Sequence, residues 1–318
     1  MIKMDIAASN SQKSSSQNFN NYNIVLQSWY VIAKSNEVKS GSAKTFDALK
    51  RKITIYRDNK GNLHALDAQC PHLGADLGLG KVIGCRLQCP FHHWIINENG
   101  TCFTAKNEQT KRKARIYPTQ EKWEYIWIFN GPKPLFEIPE PPKNMKYFVL
   151  KTPSQHIKCH PHIVTANGMD VTHFDALHGL NIKANSKLKV TKPYKVTVEM
   201  EGYPKSKLLQ KIVGANKKRR IKVRSNTIGG HMAWLEVLQP IRYYVLFTAR
   251  HSIDNGSITN IFFFAPRGLK LIRSIIATHF LLHDDRKILD TLDFHPSFAE
   301  QDKALKAFYG IVNNMKSW

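Results

Sequence analysis

The sequence predicts an all-β domain followed by an α+β domain built on an antiparallel sheet. Three observations carry the prediction. Short strand-like runs alternate with Gly-containing turns up to about residue 135. A proline cluster, Pro132, Pro134, Pro139, Pro141 and Pro142, then crosses to a second region. That region holds longer alternating runs and ends in two segments of helical period. The chain has 318 residues, 42% of them hydrophobic, so it can bury a real core and is not wholly disordered. No apolar window of about 18 residues occurs, so no integral membrane segment is expected.

The elements follow in order. Residues 1–26 are rich in Ser, Asn and Gln and lack an apolar run, which predicts a disordered polar tail and no secretory signal, in a cytoplasmic protein. Trp29–Ile32 reads as the first strand. Lys52–Tyr56 and Leu63–Leu66 read as a hairpin turned at Asp58–Asn62. Arg86–Gln88, Trp94–Ile96 and Tyr125–Phe129 extend the β region. This gives a first domain at 27–135, a Pro-rich linker at 136–150 and a second domain at 151–318. The second domain opens on a helical patch around Ala166–His178. Strands are expected at Lys189–Glu199, Arg220–Val223, Met232–Gln239, Tyr243–Arg250 and Thr259–Phe264, in one antiparallel sheet. Leu271, Ile272, Ile275, Ile276, Phe280 and Leu281 keep a helical period over Gly268–Asp290, and Phe298–Val312 reads as a terminal helix.

Cysteine carries the first chemical signal. There are five, and an odd count does not suit a disulfide scaffold. Four fall between residues 70 and 102. Cys70-Pro71-His72 and Cys89-Pro90-Phe91-His92 are two mixed Cys/His loops, each stiffened by proline, with sixteen residues between them. Two thiolates and two imidazoles can hold a [2Fe–2S] cluster with Cys on one iron and His on the other, at a higher potential than an all-Cys cluster. The alternative is a structural Cys2His2 zinc site, but zinc fingers group their cysteines before their histidines, whereas here they interleave. Cys85 and Cys102 are expected as buried core residues.

The stretch Cys70-Pro71-His72-Leu73-Gly74-Ala75-Asp76-Leu77, then Gly80, Cys89-Pro90-Phe91-His92 and Trp94, resembles the Rieske domain. Ala75 and Phe91 stand where respiratory Rieske proteins carry an extra disulfide. The resemblance is therefore to the oxygenase or ferredoxin branch, with Cys70, His72, Cys89 and His92 as cluster ligands. That branch usually has Gly after the second His, where this chain has His93.

The second half holds Asn167-Gly168-Met169-Asp170-Val171-Thr172-His173 and His178. On an ideal helix His173 and His178 lie about 140° apart, so they converge only if the helix ends or bulges between them. Two His and a carboxylate form the facial triad of non-haem Fe(II) oxygenases. The carboxylate candidates are in His283-Asp284-Asp285-Arg286-Lys287-Ile288-Leu289. Asp170 precedes His173 by three residues, so its carboxylate can reach that imidazole and fix its tautomer, or else serve as a helix N-terminal cap.

These residues resemble the catalytic half of Rieske non-haem iron oxygenases, and the combined resemblance covers about residues 27–312. It implies an all-β Rieske domain followed by an α+β catalytic domain whose antiparallel sheet is helix-grip-like. It implies one [2Fe–2S] cluster and one mononuclear Fe(II) held by His173, His178 and Asp285, with Asp284 the competing assignment. It places Asn167 and Asp170 in the catalytic machinery. It also implies a head-to-tail homotrimer, in which Asp170 links to a cluster His of the neighbouring subunit.

The implied protein is a terminal oxygenase. Gly78–Gly84 has the wrong spacing for a nicotinamide fingerprint, so NAD(P)H is expected to act through a separate ferredoxin or flavin reductase. The expected reaction uses O2 to hydroxylate, dealkylate or desaturate a hydrophobic cyclic, steroid-like small molecule. The pocket is expected from Leu177–Ile182, Ile261–Phe264 and the Leu269–Phe280 helix. The competing function is a Rieske electron-transfer protein with a non-catalytic binding domain. Charge enters last. With 47 Lys+Arg against 24 Asp+Glu, the net charge of +23 admits nucleic acid or an anionic membrane. With metal ligands in both halves no nucleic-acid partner is expected. Lys217–Arg224 reads as a solvated hairpin edge, and the charge as a docking field for an acidic electron donor.

Overall fold

A computed structural model describes residues 17–182, 187–191 and 193–318, and the side chains of Lys270, Ala277 and residues 279–284 lie outside that description. The first half contains three small antiparallel sheets. Trp29–Lys34 pairs with Tyr125–Phe129, which also pairs with Thr119–Lys122. Ser42–Ala48, Arg51–Arg57, Leu63–Asp67 and Ile116–Tyr117 form a second sheet, with the expected hairpin at its centre. The third sheet, Lys81–Ile83, Arg86–Gln88, Ile95–Ile96, Thr101–Phe103 and Gln109–Lys113, carries the Cys/His loops.

The second half is one large antiparallel sheet. Its path runs Phe148–Lys151, Ser257–Ala265, Tyr243–His251, Met232–Gln239, Ile221–Ile228, Lys195–Pro204, Leu180–Ile182. Among the described residues five helices accompany it: α1 (Pro161–Ala166), α2 (His173–Ala176), α3 (Lys207–Val213), α4 (Leu269–Leu289) and α5 (Lys303–Asn314). Alternation of side chains gives the sheet a buried face. Phe308, Ile311 and Val312 of α5 close part of it against Val196 and Val198.

Several expectations need correction. The run Lys189–Glu199 is not one strand: Lys187–Thr191 and Lys195–Pro204 are two arms of a hairpin. The basic run is not a hairpin edge, because Ile221–Ile228 lies between two partner strands and Arg224 pairs with Glu199 and Glu236. Cys102 is buried, but Cys85 is exposed in a tight turn. The part of the 1–26 tail expectation that falls on residues 1–16 lies outside the described residues. Residues 17–26 are packed: Phe19, Val25 and Leu26 are buried, and Asn18 donates to the C-terminal carbonyls of Val312 and Met315. The 136–150 segment is no free spacer. Ile138 is buried, Phe136 takes a hydrogen bond from the Trp29 indole, and the first strand of the large sheet begins at Phe148.

Candidate metal centres

The first centre sits on the third small sheet. Strand pairing ends at Gln88, so the chain leaves the sheet at Cys89. The loop closes by Cys89 N–H donating to the Trp94 carbonyl. The other loop closes by Cys70 N–H donating to Ala75 O and Gly74 N–H to Cys70 O. Arg112 clamps it through Pro71 O at 2.7 Å. Gly80 allows the close approach, since a Cβ there would lie 2.5 Å from Gln88 O.

The four candidate ligands meet at this tip. Cys70 and Cys89 are buried in one apolar cluster. The His72 and His92 rings stand edge to face at 4.7 Å, and Trp94 stacks on His72 at 4.4 Å. Burial, with Cys89 close by, pushes the Cys70 thiol up to about 11. The His72 Nδ1 is buried without a hydrogen-bond partner. Two buried thiols and an orphaned imidazole nitrogen fit a cationic iron–sulfur core, whose charge holds thiols as thiolates. His93 takes φ +56°, the left-handed region that glycine occupies without strain, and its side chain points to solvent.

The second centre joins α2 and α4. The helical patch breaks as convergence requires: a 3-10 turn at Asn167–Met169, then α2, which ends at Ala176. Gly179, at φ +57°, turns the chain out into the strand Leu180–Ile182. His178 therefore swings back toward His173, and the rings stand 5.0 Å apart. Asp285 reaches them from α4. Its Oδ1 lies 3.0 Å from His178 Nε2 and 3.9 Å from His173 Nε2.

Donor atoms of the three lie within 4.8 Å of one another. The 3.0 Å approach is not a hydrogen bond, because His178 Nε2 and Asp285 Oδ1 remain buried and unpartnered by hydrogen-bond geometry. Lone pairs aimed at a common point produce that combination, and the set suits a divalent iron. Burial lowers the His173 pKa, which keeps the imidazole neutral and able to ligate. The structure brings Asp285 together with the two histidines; the side chain of Asp284 is outside the described residues.

Of the two contacts expected for the Asp170 carboxylate, the structure shows the capping one. The Asp170 backbone carbonyl, not its carboxylate, accepts from His173 Nδ1. The carboxylate caps the turn instead, accepting from Thr172 N–H, Thr172 Oγ1 and His173 N–H at 2.7–3.1 Å. A main-chain acceptor still fixes the ring so that Nε2 faces the centre.

An apolar cavity opens from this centre. Asn167, His173 and Asp285 form its polar end, and Ile261, Leu180 and Ile182 lie among its walls as expected. Sequence reasoning missed much of the wall. Met200, Val223, Leu235, Val237 and Val245 come from strands whose alternation says only that one face is buried.

Comparison with known proteins gives three findings. A profile for the Rieske [2Fe-2S] domain matches residues 28–119. A cholesterol 7-desaturase from Bombyx mori is 33% identical over 161 residues, 48% of this chain and 36% of that protein. The oxygenase component of a 3-ketosteroid-9-alpha-monooxygenase from Rhodococcus rhodochrous is 32% identical over 108 residues, 33% of this chain and 28% of that protein. The matches span 36% and 28% of the length of these two relatives. Crystalline dicamba monooxygenase bound to 3,6-dichlorosalicylic acid superposes with TM-score 0.68 at 19% identity, over 90% of this chain and 96% of that one.

Proposed function

We propose, for a chain that carries a Rieske [2Fe–2S] domain and resembles Rieske oxygenase terminal components in sequence and fold, that it oxidises a hydrophobic, steroid-like substrate with O2. The observation that carries the proposal is the apolar cavity that reaches His173 and Asp285, which cluster with the buried His178. In it, Cys70, His72, Cys89 and His92 hold the cluster, and His173, His178 and Asp285 hold the iron. When bound, the cluster supplies single electrons and the iron supplies O2 activation.

The chain's own groups do the rest. The Asp170 carbonyl holds His173 in one tautomer. Asn167 lines the cavity beside His173. The largely aliphatic walls seat a rigid apolar body, and polar groups at the metal end and along the wall, among them Thr248, Thr259 and Thr278, can orient it. The names of the two relatives quoted above favour a sterol over a methoxy-aromatic. A separate ferredoxin or flavin reductase passes electrons from NAD(P)H. Its docking is helped by the positive field of the chain, and His92 is exposed at the loop tip. Leu73, Leu79 and Phe91 surround that tip and are exposed, which supports a trimer in which each cluster serves the next subunit. Among the described residues no helix is long and apolar enough to cross a membrane.

The test is O2 uptake by iron-loaded protein with a surrogate reductase, on a panel of sterols, ketosteroids, methoxy-aromatics and N-methyl compounds. Substrate-dependent uptake with an oxidised sterol product is expected. Only two tightly held irons per chain, with no uptake, overturns the proposal in favour of pure electron transfer.

A further inference from the structure

Helix α4 buries Leu289 and packs Leu271 on the core, but it also buries polar groups and exposes apolar ones. A surface helix turns its apolar stripe to the core and its polar side to solvent. In α4 the buried side chains include Ser274, Thr278 and Asp285, while Leu269, Ile272, Ile275 and Ile276 point outward. Leu269 is 78% exposed and Ile272 54%. The outward residues follow i, i+3, i+7 spacing from Leu269, so they form one stripe. The neighbouring α3 adds Leu208, 66% exposed. The two helices are locked together by Arg273, whose Nε donates to Ile212 O at 2.6 Å. Both also cover the cavity, α3 through Leu209 and Val213 and α4 through Ser274 and Thr278.

The segments that carry this stripe are basic up to Asp284 and Asp285 near the end of α4. Residues 205–224 hold nine Lys or Arg and no Asp or Glu, and residues 266–283 hold three and none. Lys205, Arg220 and Arg224 are committed to ion pairs. Lys207, Lys211, Lys217, Lys218, Arg219 and Lys222 are exposed and make no ion pair among the described residues. A second copy docked two-fold on this face would set like charges against each other. An anionic lipid surface matches both the apolar stripe and its basic surround.

We propose that the α3–α4 face seats on an anionic membrane surface, so that an apolar substrate enters the cavity from the lipid between these two helices. The route rests on reading the cavity as a hydrophobic-substrate site; the seating itself does not.

The test is flotation of the cluster-loaded protein with phosphatidylcholine–phosphatidylserine vesicles, against phosphatidylcholine alone, without substrate or reductant. Flotation is expected with the anionic vesicles and falls as salt is raised. Ile272→Glu combined with Ile276→Glu is expected to weaken vesicle binding by about tenfold or more, with the cluster absorbance and iron content unchanged. Leu208→Glu tests the same face from α3 and decides the matter if the double variant does not fold. The proposal is overturned if the wild type floats with neither vesicle, or if these substitutions leave flotation unchanged. It is also overturned if they alter only the oligomeric mass by light scattering, which would give the face to a second copy. A protein that floats but oxidises no sterol keeps this proposal and removes the assigned reaction.

Discussion

At the second metal centre the physical argument rests on two atoms, His178 Nε2 and Asp285 Oδ1, which are buried and 3.0 Å apart without a hydrogen bond. Each unpartnered buried polar atom costs about 1–3 kcal/mol, which an ion between them removes. Fe(II) is therefore expected to raise the melting temperature of the metal-free protein, since a ligand bound only to the native state at about 100 times its Kd adds about 2.7 kcal/mol. Asp285→Ala should abolish that rise and lower iron from three to two per chain, with the red-brown cluster spectrum intact; a bleached cluster would contradict the assignment. Asp170 makes a separate prediction. Its carboxylate caps the turn before α2, so Asp170→Ala should cost about 1 kcal/mol in urea unfolding, while Asp170→Asn, which keeps an acceptor, should cost less. Equal losses in the two variants would count against the cap. The two Cys/His loops and the His173–His178 pair were legible in the sequence as candidate ligands because their motifs are local. The identity of the group holding His173 was not, because a backbone carbonyl leaves no signature in residue type.

At the scale of elements, α1 is held by a group of histidines that no local pattern announces. His160 caps α1, His162 lies within it, His231 precedes the strand Met232–Gln239, and His251 ends the strand Tyr243–His251. All four are buried, with neighbouring ring centroids 4.4–5.9 Å apart. Tyr22 and Tyr30 pack on them, Cys159 adjoins His160, and Lys50 sits over the Tyr22 ring. Burial, then repulsion from His251, brings His160 down to about 3, and burial with Lys50 brings His251 to about 4. Burial holds His162 and His231 well below the ordinary value as well. The unfolded chain takes up these protons near pH 6.5, whereas the folded chain does not. Stability is thus complete above about pH 6.5 and is lost as pH falls toward the folded values, by about 1.4 kcal/mol per proton per pH unit. Thermal melts should fall steeply from pH 6.5 to 4, and His162→Leu should flatten that slope by about one proton. An unchanged slope would remove the group as its source. Strands with period-two alternation and tight turns were readable in sequence; this cluster was not, because residues 160, 162, 231 and 251 meet only through the fold.

For the whole molecule, the two halves do not behave as beads on a linker. Trp29, Trp127 and Phe129 of the first half share one core with Ile228, Trp234, Phe262 and Phe264 of the second. Phe262 lies 5.2–5.5 Å from the rings of Trp123, Tyr125 and Trp127. The C-terminal Trp318 packs on Tyr117. Such a seam predicts one unfolding transition, with cluster bleaching and loss of sheet circular dichroism coincident. Phe262→Ala should shift both together by about 3–5 kcal/mol, and two separated transitions in the wild type would refute the shared core. This seam orients both centres rigidly within one chain. The cluster loop nevertheless turns Leu79, 78% exposed, and Phe91, 62% exposed, away from that seam and into solvent. Apolar tips flanking the exposed His92 are costly in a monomer and useful at an interface. Phe91→Glu with Leu79→Glu is therefore expected to convert the proposed trimer to single chains by light scattering, with both metals retained. Reduced cluster should then persist in the presence of O2 and substrate, because its electron has no neighbouring iron to reach. If the variant stays trimeric, or if single chains turn over at the wild-type rate, each cluster serves its own chain and the head-to-tail arrangement falls.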